Sequence, residues 1–213
     1  MTEHKTMNTV IHAAFRRDLA RFDSALAGFP DGSHERAHQL VTAWDNYQYQ
    51  LHHHHRDEET IFWPTFRELG AEESLTTDLG GEHARMLAAL DRADEVMRRL
   101  EGDPSTARAT EARAAVGELG EVLQEHLAHE EADLEPWSAT ILDTPQMKRA
   151  EVAVRKAHKG AAGTFVAWLL DGAGPDDVAG LKKQMPPPVV AVLNAVPGRA
   201  YRKNVATVWS AQR

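Results

Sequence analysis

Apolar residues recur at alternating intervals of four and three in four stretches of the chain, each bounded by glycine, proline or a capping side chain. That spacing lines one stripe of side chains along one face of an α-helix. The first stretch runs from about Lys5 to Leu26, with Asn8, His12, Phe15, Leu19, Phe22 and Leu26 on the stripe, and stops at Gly28-Phe-Pro-Asp-Gly32. Ser33 reads as an N-cap, and a second helix follows to about Leu69, striped by Leu40, Trp44, Tyr47, Leu51, His54, Glu58, Ile61 and Thr65. Gly70 ends it. The third stretch, about Ser74 to Leu100, carries Leu79, His83, Met86, Leu90, Ala93, Met97 and Leu100. After Gly102-Asp-Pro-Ser105 the fourth spans about Thr106 to Trp137, with Val116, Leu119, Leu123, His126, Glu130, Asp133 and Trp137 facing one way. No stretch shows sustained alternation with period two, so no sheet is expected. Four helices with one narrow apolar face each predict an all-α fold, an antiparallel up-down four-helix bundle over residues 1–140.

Residues 141–213 are expected to form a C-terminal helical extension packed on the bundle. A fifth helix is predicted from about Met147 to Leu170 and a short one from Asp176 to Met185, stopped by Pro186-Pro-Pro188. The tail from Val189 to Arg213 mixes apolar and basic residues and should cover the bundle or form a homo-oligomer contact.

Composition narrows the chemistry. The formal charge is -8 and Lys and Arg are scattered, which leaves no footprint for nucleic acid. Apolar runs fall short of the roughly 20 residues a membrane helix needs, so there is no membrane span and a cytoplasmic location is expected. With no Cys, thiolate metal sites, iron-sulfur clusters and cysteine catalysis are all excluded. A metal would have to be held by nitrogen and oxygen. The 12 His are an excess, and four of them, His12, His54, His83 and His126, lie on the four helical stripes. Glu58 and Glu130 follow two of these histidines by four residues, on the same helix face. Carboxylates buried without a partner cost several kcal/mol each or become neutral, so the cluster calls for a cation. His12 and His83 sit near the starts of their helices and His54 and His126 near the ends, which brings all four to one level of an up-down bundle.

The run His52-His-His-His55 offers two registers of His-x-x-x-Glu, His54/Glu58 and His55/Glu59. His54 lies on the apolar stripe, whereas the line through His55 also carries Asp45, Gln48 and His52. His55 is therefore expected to flank or solvate the site with His52 and His53, with the alternative that one of the three supports a ligand from outside. By the same test His126/Glu130 is preferred over His129/Asp133, with His129 as a candidate extra ligand. Tyr47, two turns from His54, reads first as a core residue and second as a hydrogen-bonding partner for a bound ligand. Lone His158 on the fifth helix reads as a packing residue.

His12, the segment HHRDEE at 54–59, EHARM with His83, and HLAHEEADLEP at 126–136 together resemble the hemerythrin-like (HHE cation-binding) family. The form resembled has a lone His on the first and third helices and His-x-x-x-Glu on the second and fourth. The resemblance implies a non-haem di-iron centre. His12 and His54 would lie on one iron and His83 and His126 on the other, with Glu58 and Glu130 as bridging carboxylates. It also implies a small-molecule partner, O2, H2O2 or NO, and either peroxidase- or catalase-like chemistry in stress response or a non-enzymatic role as sensor or carrier. Oxygen-carrying members have a second His one turn after the third-helix ligand, and here that position is Leu87. The iron near His83 would then have an additional open position, which points away from reversible oxygen storage.

Two competing patterns are weaker. His34-Glu-Arg-Ala-His38 matches the HExxH of zinc proteases, but no third ligand or substrate strand accompanies it. Ferritin-like chemistry needs Glu-x-x-His on two helices, and Glu35/His38 is the only such pair in the chain.

Overall fold

A computed structural model of the chain describes residues 5–212, all of whose regular structure is helical. Helix α1 spans Met7–Ala27 and α2 spans His34–Asp57. A single wide π turn, π1, occupies Glu58–Phe62 and leads into α3, Trp63–Glu68. Helix α4 spans Glu73–Gly102 and α5 spans Thr106–His129, followed by a second π turn, π2, at Glu130–Leu134 and α6 at Glu135–Ser138. Side chains of Thr6, Ser33 and Ser105 cap α1, α2 and α5 by accepting from the amides of Thr9, Arg36 and Arg108. Gly70, at φ 97°, makes the left-handed turn that closes the second arm.

The four long helices pack as a square in which α1 meets α2 and α5, and α4 meets the same two. Neighbours in sequence are neighbours in space, and the short loops between them make the bundle antiparallel and up-down. Its core is the striped set read from sequence: Phe15, Phe22, Leu40, Trp44, Tyr47, Leu51, Leu79, Met86, Leu90, Met97, Leu100, Leu119 and Leu123 are all buried.

The stripes on the second and fourth arms shift after their glutamates, and prolines explain why. A proline ring clashes with the carbonyl four residues earlier and has no N–H to give it. Pro64 and Pro136 would meet that clash in a continued α-helix. The wide turns avoid it: the Trp63 amide bonds to the carbonyl of Glu58, and that of Glu135 to Glu130, each five residues back. One extra residue in a turn rotates every later side chain by about 100°. The expectation that Ile61, Thr65 and Asp133 face inward is corrected accordingly. Trp63 and Phe66 point in instead, and Leu134 takes the place of Asp133, whose side chain is 60% exposed. Trp137 is half-buried against Phe66 rather than seated in the bundle core.

The extension forms α7 (Pro145–Ala157), α8 (Ala162–Leu170), α9 (Pro175–Gln184), α10 (Pro187–Ala195), α11 (Arg199–Asn204) and a closing 3₁₀ stretch, Ala206–Gln212. The single fifth helix expected from Met147 to Leu170 is two helices, broken around Gly160. The short helix ends at Gln184, just before Pro186-Pro-Pro188 as expected, and Pro187 then opens a further helix, α10, since a first-turn residue needs no amide donor. Gly163 allows the chain to fold back at this point: a Cβ there would stand 2.4 Å from the Cβ of Pro197. Helix α8 is welded to the bundle by Trp168, fully buried, whose ring lies 5.1 Å from Phe15 and whose indole N–H donates to Asp18 at 2.7 Å. Tyr201, Val205, Val208 and Trp209 join the same core, so the tail packs on the bundle as far as Trp209; Arg213 lies outside the described residues. Helix α7 supplies Met147 to a smaller cluster with Trp63, Phe66, Leu79 and Leu134, closing the bundle end where both π turns lie. Among the described residues no helix is long and apolar enough to cross a membrane.

Because Trp168 joins extension and bundle, Trp168→Ala should lower stability by about 3–5 kcal/mol in urea denaturation, with the whole chain still unfolding in one transition. A loss under about 1 kcal/mol, or two separated transitions, would show that the extension folds apart from the bundle.

Candidate metal centre

Seven side chains from all four arms converge at one level of the bundle. His12 comes from α1, His54 and His55 from α2, Glu58 from π1, His83 from α4, His126 from α5 and Glu130 from π2. Their donor atoms fall into two groups with the spacing a cation needs. One contains His12, His54, Glu58 and Glu130, the other His55, Glu58, His83 and His126. Glu58 belongs to both: its Oε1 lies 3.2 Å from His54 Nε2 and its Oε2 lies 3.5 Å from His83 Nε2. Glu130 Oε2 lies 3.3 Å from His12 Nε2 and 3.7 Å from His126 Nε2, so it too faces both groups. Donors around one ion with bonds of about 2.1 Å stand roughly 3.0 Å apart in an octahedron and roughly 3.4 Å apart in a tetrahedron. The distances seen are of that size.

Hydrogen-bond chemistry tests the fit more sharply. His83 Nδ1 lies 2.8 Å from Glu59 Oε1 and His126 Nδ1 lies 2.9 Å from Glu82 Oε2. An ionised carboxylate only accepts, so both rings carry their proton on Nδ1 and present a lone pair at Nε2. Those two Nε2 atoms face each other at 3.2 Å. Two lone pairs at that distance repel unless a cation or proton lies between them. His54 Nε2, both ring nitrogens of His55, Glu58 Oε2 and both Glu130 oxygens are likewise buried without a hydrogen-bond partner. In a folded core such groups are nearly always satisfied. A metal-binding centre accounts for all of them at once.

The protonation pattern agrees. Burial, reinforced by the negative charge of Glu130, pushes the Glu58 carboxyl well above the usual carboxylate range. Glu130, equally buried, is held low against its desolvation by the imidazoles around it, His12 first, whose Nε2 lies 3.3 Å from its Oε2. Burial also drives His54 and His55 well below the ordinary imidazole range, helped by His12 for the first and His83 for the second. Those two rings are neutral at neutral pH, the state in which an imidazole binds metal.

All six residues singled out from the sequence, His12, His54, Glu58, His83, His126 and Glu130, lie in this cluster. The placing of His55 is corrected. It does not flank the site in solvent; it is 4% exposed and its ring stacks on His83 at 4.2 Å. The far face of His83 is covered by Trp63 at 4.6 Å. The buried face of α2 is wider than a two-position stripe, taking in Val41, Trp44, Gln50, Leu51 and His55. The doubled histidine His54-His55 is the signal that was available, because both rings turn inward while Glu59 stays half-exposed. Leu87 is 37% exposed, and His55 brings the group around His83 to three imidazoles.

The remaining candidates stand outside the two groups. His129 Nδ1 donates to Glu82 at 2.9 Å, with its Nε2 3.3 Å from Asp133. Tyr47 is a buried core residue whose ring, like that of His54, lies against Phe15. His158 Nε2 contacts Asp57 at 2.6 Å and its ring meets His53 edge-on. His34, Glu35 and His38 of the HExxH match are exposed at the opposite end of α2 from the centre.

Searches of curated proteins and of solved structures gave no match. Residues 9–138 match the family model of the hemerythrin HHE cation binding domain, a span that contains all seven residues of the centre and ends with the last residue of α6. The chain belongs to the hemerythrin HHE cation-binding domain family.

Proposed function

We propose that this protein is a non-haem di-iron protein acting on dioxygen, hydrogen peroxide or nitric oxide. The observation that carries the reading is the pair of donor groups joined by Glu58, in which imidazole lone pairs and carboxylate oxygens are buried facing one another. His12, His54, Glu58 and Glu130 would hold one ion, and His55, Glu58, His83 and His126 the other. Imidazole and carboxylate without sulfur suit iron, manganese or zinc, and membership of the family favours iron. When bound, a pair of iron ions would supply one-electron redox changes and a Lewis-acid surface for a small ligand.

The chain's own residues set what that ligand is. The side chains of His12, His83, His126 and Glu130 are 0–1% exposed, and those of His54 and Glu58 are 7% exposed. A substrate reaching them passes between packed helices, which admits a diatomic gas or a peroxide and excludes a bulky organic molecule. The two sides of the centre differ in donors, two imidazoles with two carboxylates against three imidazoles with one. Phe15 against His54 and Trp63 against His83 keep the surroundings dry. Water exclusion strengthens every charge interaction inside.

Protein purified without added metal should carry two irons per chain by elemental analysis, and His54→Ala, His55→Ala and Glu130→Ala should each reduce this to one or fewer. Unchanged iron in all three variants would remove the ligand assignment. Iron-loaded protein should consume hydrogen peroxide catalytically. Saturable binding of O2 or NO, seen in the optical spectrum without turnover, would instead make it a sensor or carrier.

The raised Glu58 pKa supplies a second expectation. In the metal-free protein the folded state holds a proton on Glu58 that the unfolded chain has released above the ordinary value of 4.5. Stability contributed by this group is present at low pH and is lost as pH rises from there. Glu58→Gln, neutral at every pH, should therefore be more stable than the wild-type apoprotein at pH 8, with a smaller difference at pH 5. It should also load less iron. A stability difference that does not grow with pH would show that Glu58 is not destabilised by burial.

A further inference from the structure

Three acidic residues around the centre share a placement that ligation does not require. Glu59 immediately follows Glu58, Glu131 immediately follows Glu130, and Glu82 immediately precedes His83. Each reaches across to a histidine of a different arm. Glu59 of π1 accepts from His83 of α4 at 2.8 Å, Glu82 of α4 accepts from His126 of α5 at 2.9 Å, and Glu131 of π2 accepts from His12 of α1 at 2.9 Å. The ties run round the bundle in one sense, second arm to third, third to fourth, fourth to first.

Two of the carboxylates are themselves held from outside. Arg16 grips both oxygens of Glu131, at 2.6 and 3.0 Å, and binds Gln124 with its Nε. His129 donates to the second oxygen of Glu82 at 2.9 Å. Glu59 has its side chain 46% exposed. The π turns bear on this arrangement. Glu58 and Glu130 are the first residues of the wide turns, and in each the next residue, Glu59 or Glu131, is the one turned toward the neighbouring arm.

We propose that Glu59, Glu82 and Glu131 are positioning residues that fix the rings of His83, His126 and His12 with Nδ1–H outward and Nε2 inward before any metal arrives. A carboxylate bonded to the remote nitrogen of a ligating histidine fixes its tautomer and raises its basicity, and losing it typically costs about 10–100-fold in metal affinity. The same three ties join the arms in pairs, so the centre is a preformed cage rather than one gathered by the ion. This rests on the metal-binding reading above, but it makes a claim about the metal-free protein that can be tested separately.

The test uses the full chain in both states. In metal-free wild-type protein, ¹⁵N-detected NMR of the imidazoles should show His83 and His126 as Nδ1–H tautomers; Glu59→Ala should release His83 from that state and Glu82→Ala should release His126. Glu59→Gln should restore it, because the amide oxygen still accepts. Iron(II) titration should show wild-type protein loading two ions, with about 10–100-fold weaker affinity in Glu59→Ala, Glu82→Ala and Glu131→Ala. Glu59 is the decisive position, since its half-exposed side chain can be removed with little cost to the fold, and an unchanged melting temperature would separate positioning from general destabilisation. Wild-type affinity in all three Ala variants, with both tautomers unchanged, would overturn the proposal. Failure of the wild-type protein to bind metal would overturn the di-iron reading instead, leaving the tautomer measurement to judge the cage.

Discussion

Two carboxylates and five imidazoles in the middle of a helical bundle are a constraint that everything around them must answer. Burying one unpaired carboxylate costs several kcal/mol, and Glu58 and Glu130 face the same few ångströms of space. Without a cation the molecule compromises: the Glu58 carboxyl is pushed well above the usual carboxylate range, Glu130 is held low by the imidazoles around it, and His54 and His55 stay neutral. That compromise leaves lone pairs facing lone pairs. A pure folding solution would have replaced these groups with leucine. Their presence in a buried layer of the bundle means that stability has been given up there for binding, as is usual where a site imposes on a fold.

The rest of the architecture can be understood as support for that layer. Above it lies an ordinary apolar core, from Phe22 and Trp44 to Leu100 and Leu119. Below it, Pro64 and Pro136 end two helices in wide turns that start at the two inward glutamates. The turns swing Trp63, Phe66 and Leu134 beneath the centre, where Met147 of the extension joins them. Around it, outer glutamates take the remote nitrogens of three histidines. The extension adds Trp168 against Phe15, and Phe15 in turn lies against His54. An unbroken 3.6-residue period could not have placed Trp63, Phe66 and Leu134 under the centre; the two wide turns do.

Much of the site was legible because ligands on a helix obey the same periodicity as its core. A histidine at a stripe position must be buried when the stripe is buried, and a glutamate four residues on must be beside it. Four stripes each holding one histidine at matching depth therefore specified six of the seven converging residues, and the bundle that brings them together. The stripe reading failed at His55, because a helix wedged between two neighbours buries more than a two-position seam, and both members of an adjacent pair can then point inward. It failed again at Ile61, Thr65 and Asp133, because one residue inserted into a helical turn moves every later side chain to another face.

By itself, then, the sequence determined the class of fold, the level of the centre along the bundle and the nitrogen and oxygen character of its donors; local periodicity and composition are enough for these. Tertiary structure alone decided which of two neighbouring histidines completes the group around His83, how the prolines are absorbed by wide turns, and which outer carboxylate holds which ring. The break at Gly160 and the seating of Trp168 belong to the same class. Each depends on the distance between side chains from different helices. That distance is set by how whole faces pack, which no spacing within one helix encodes.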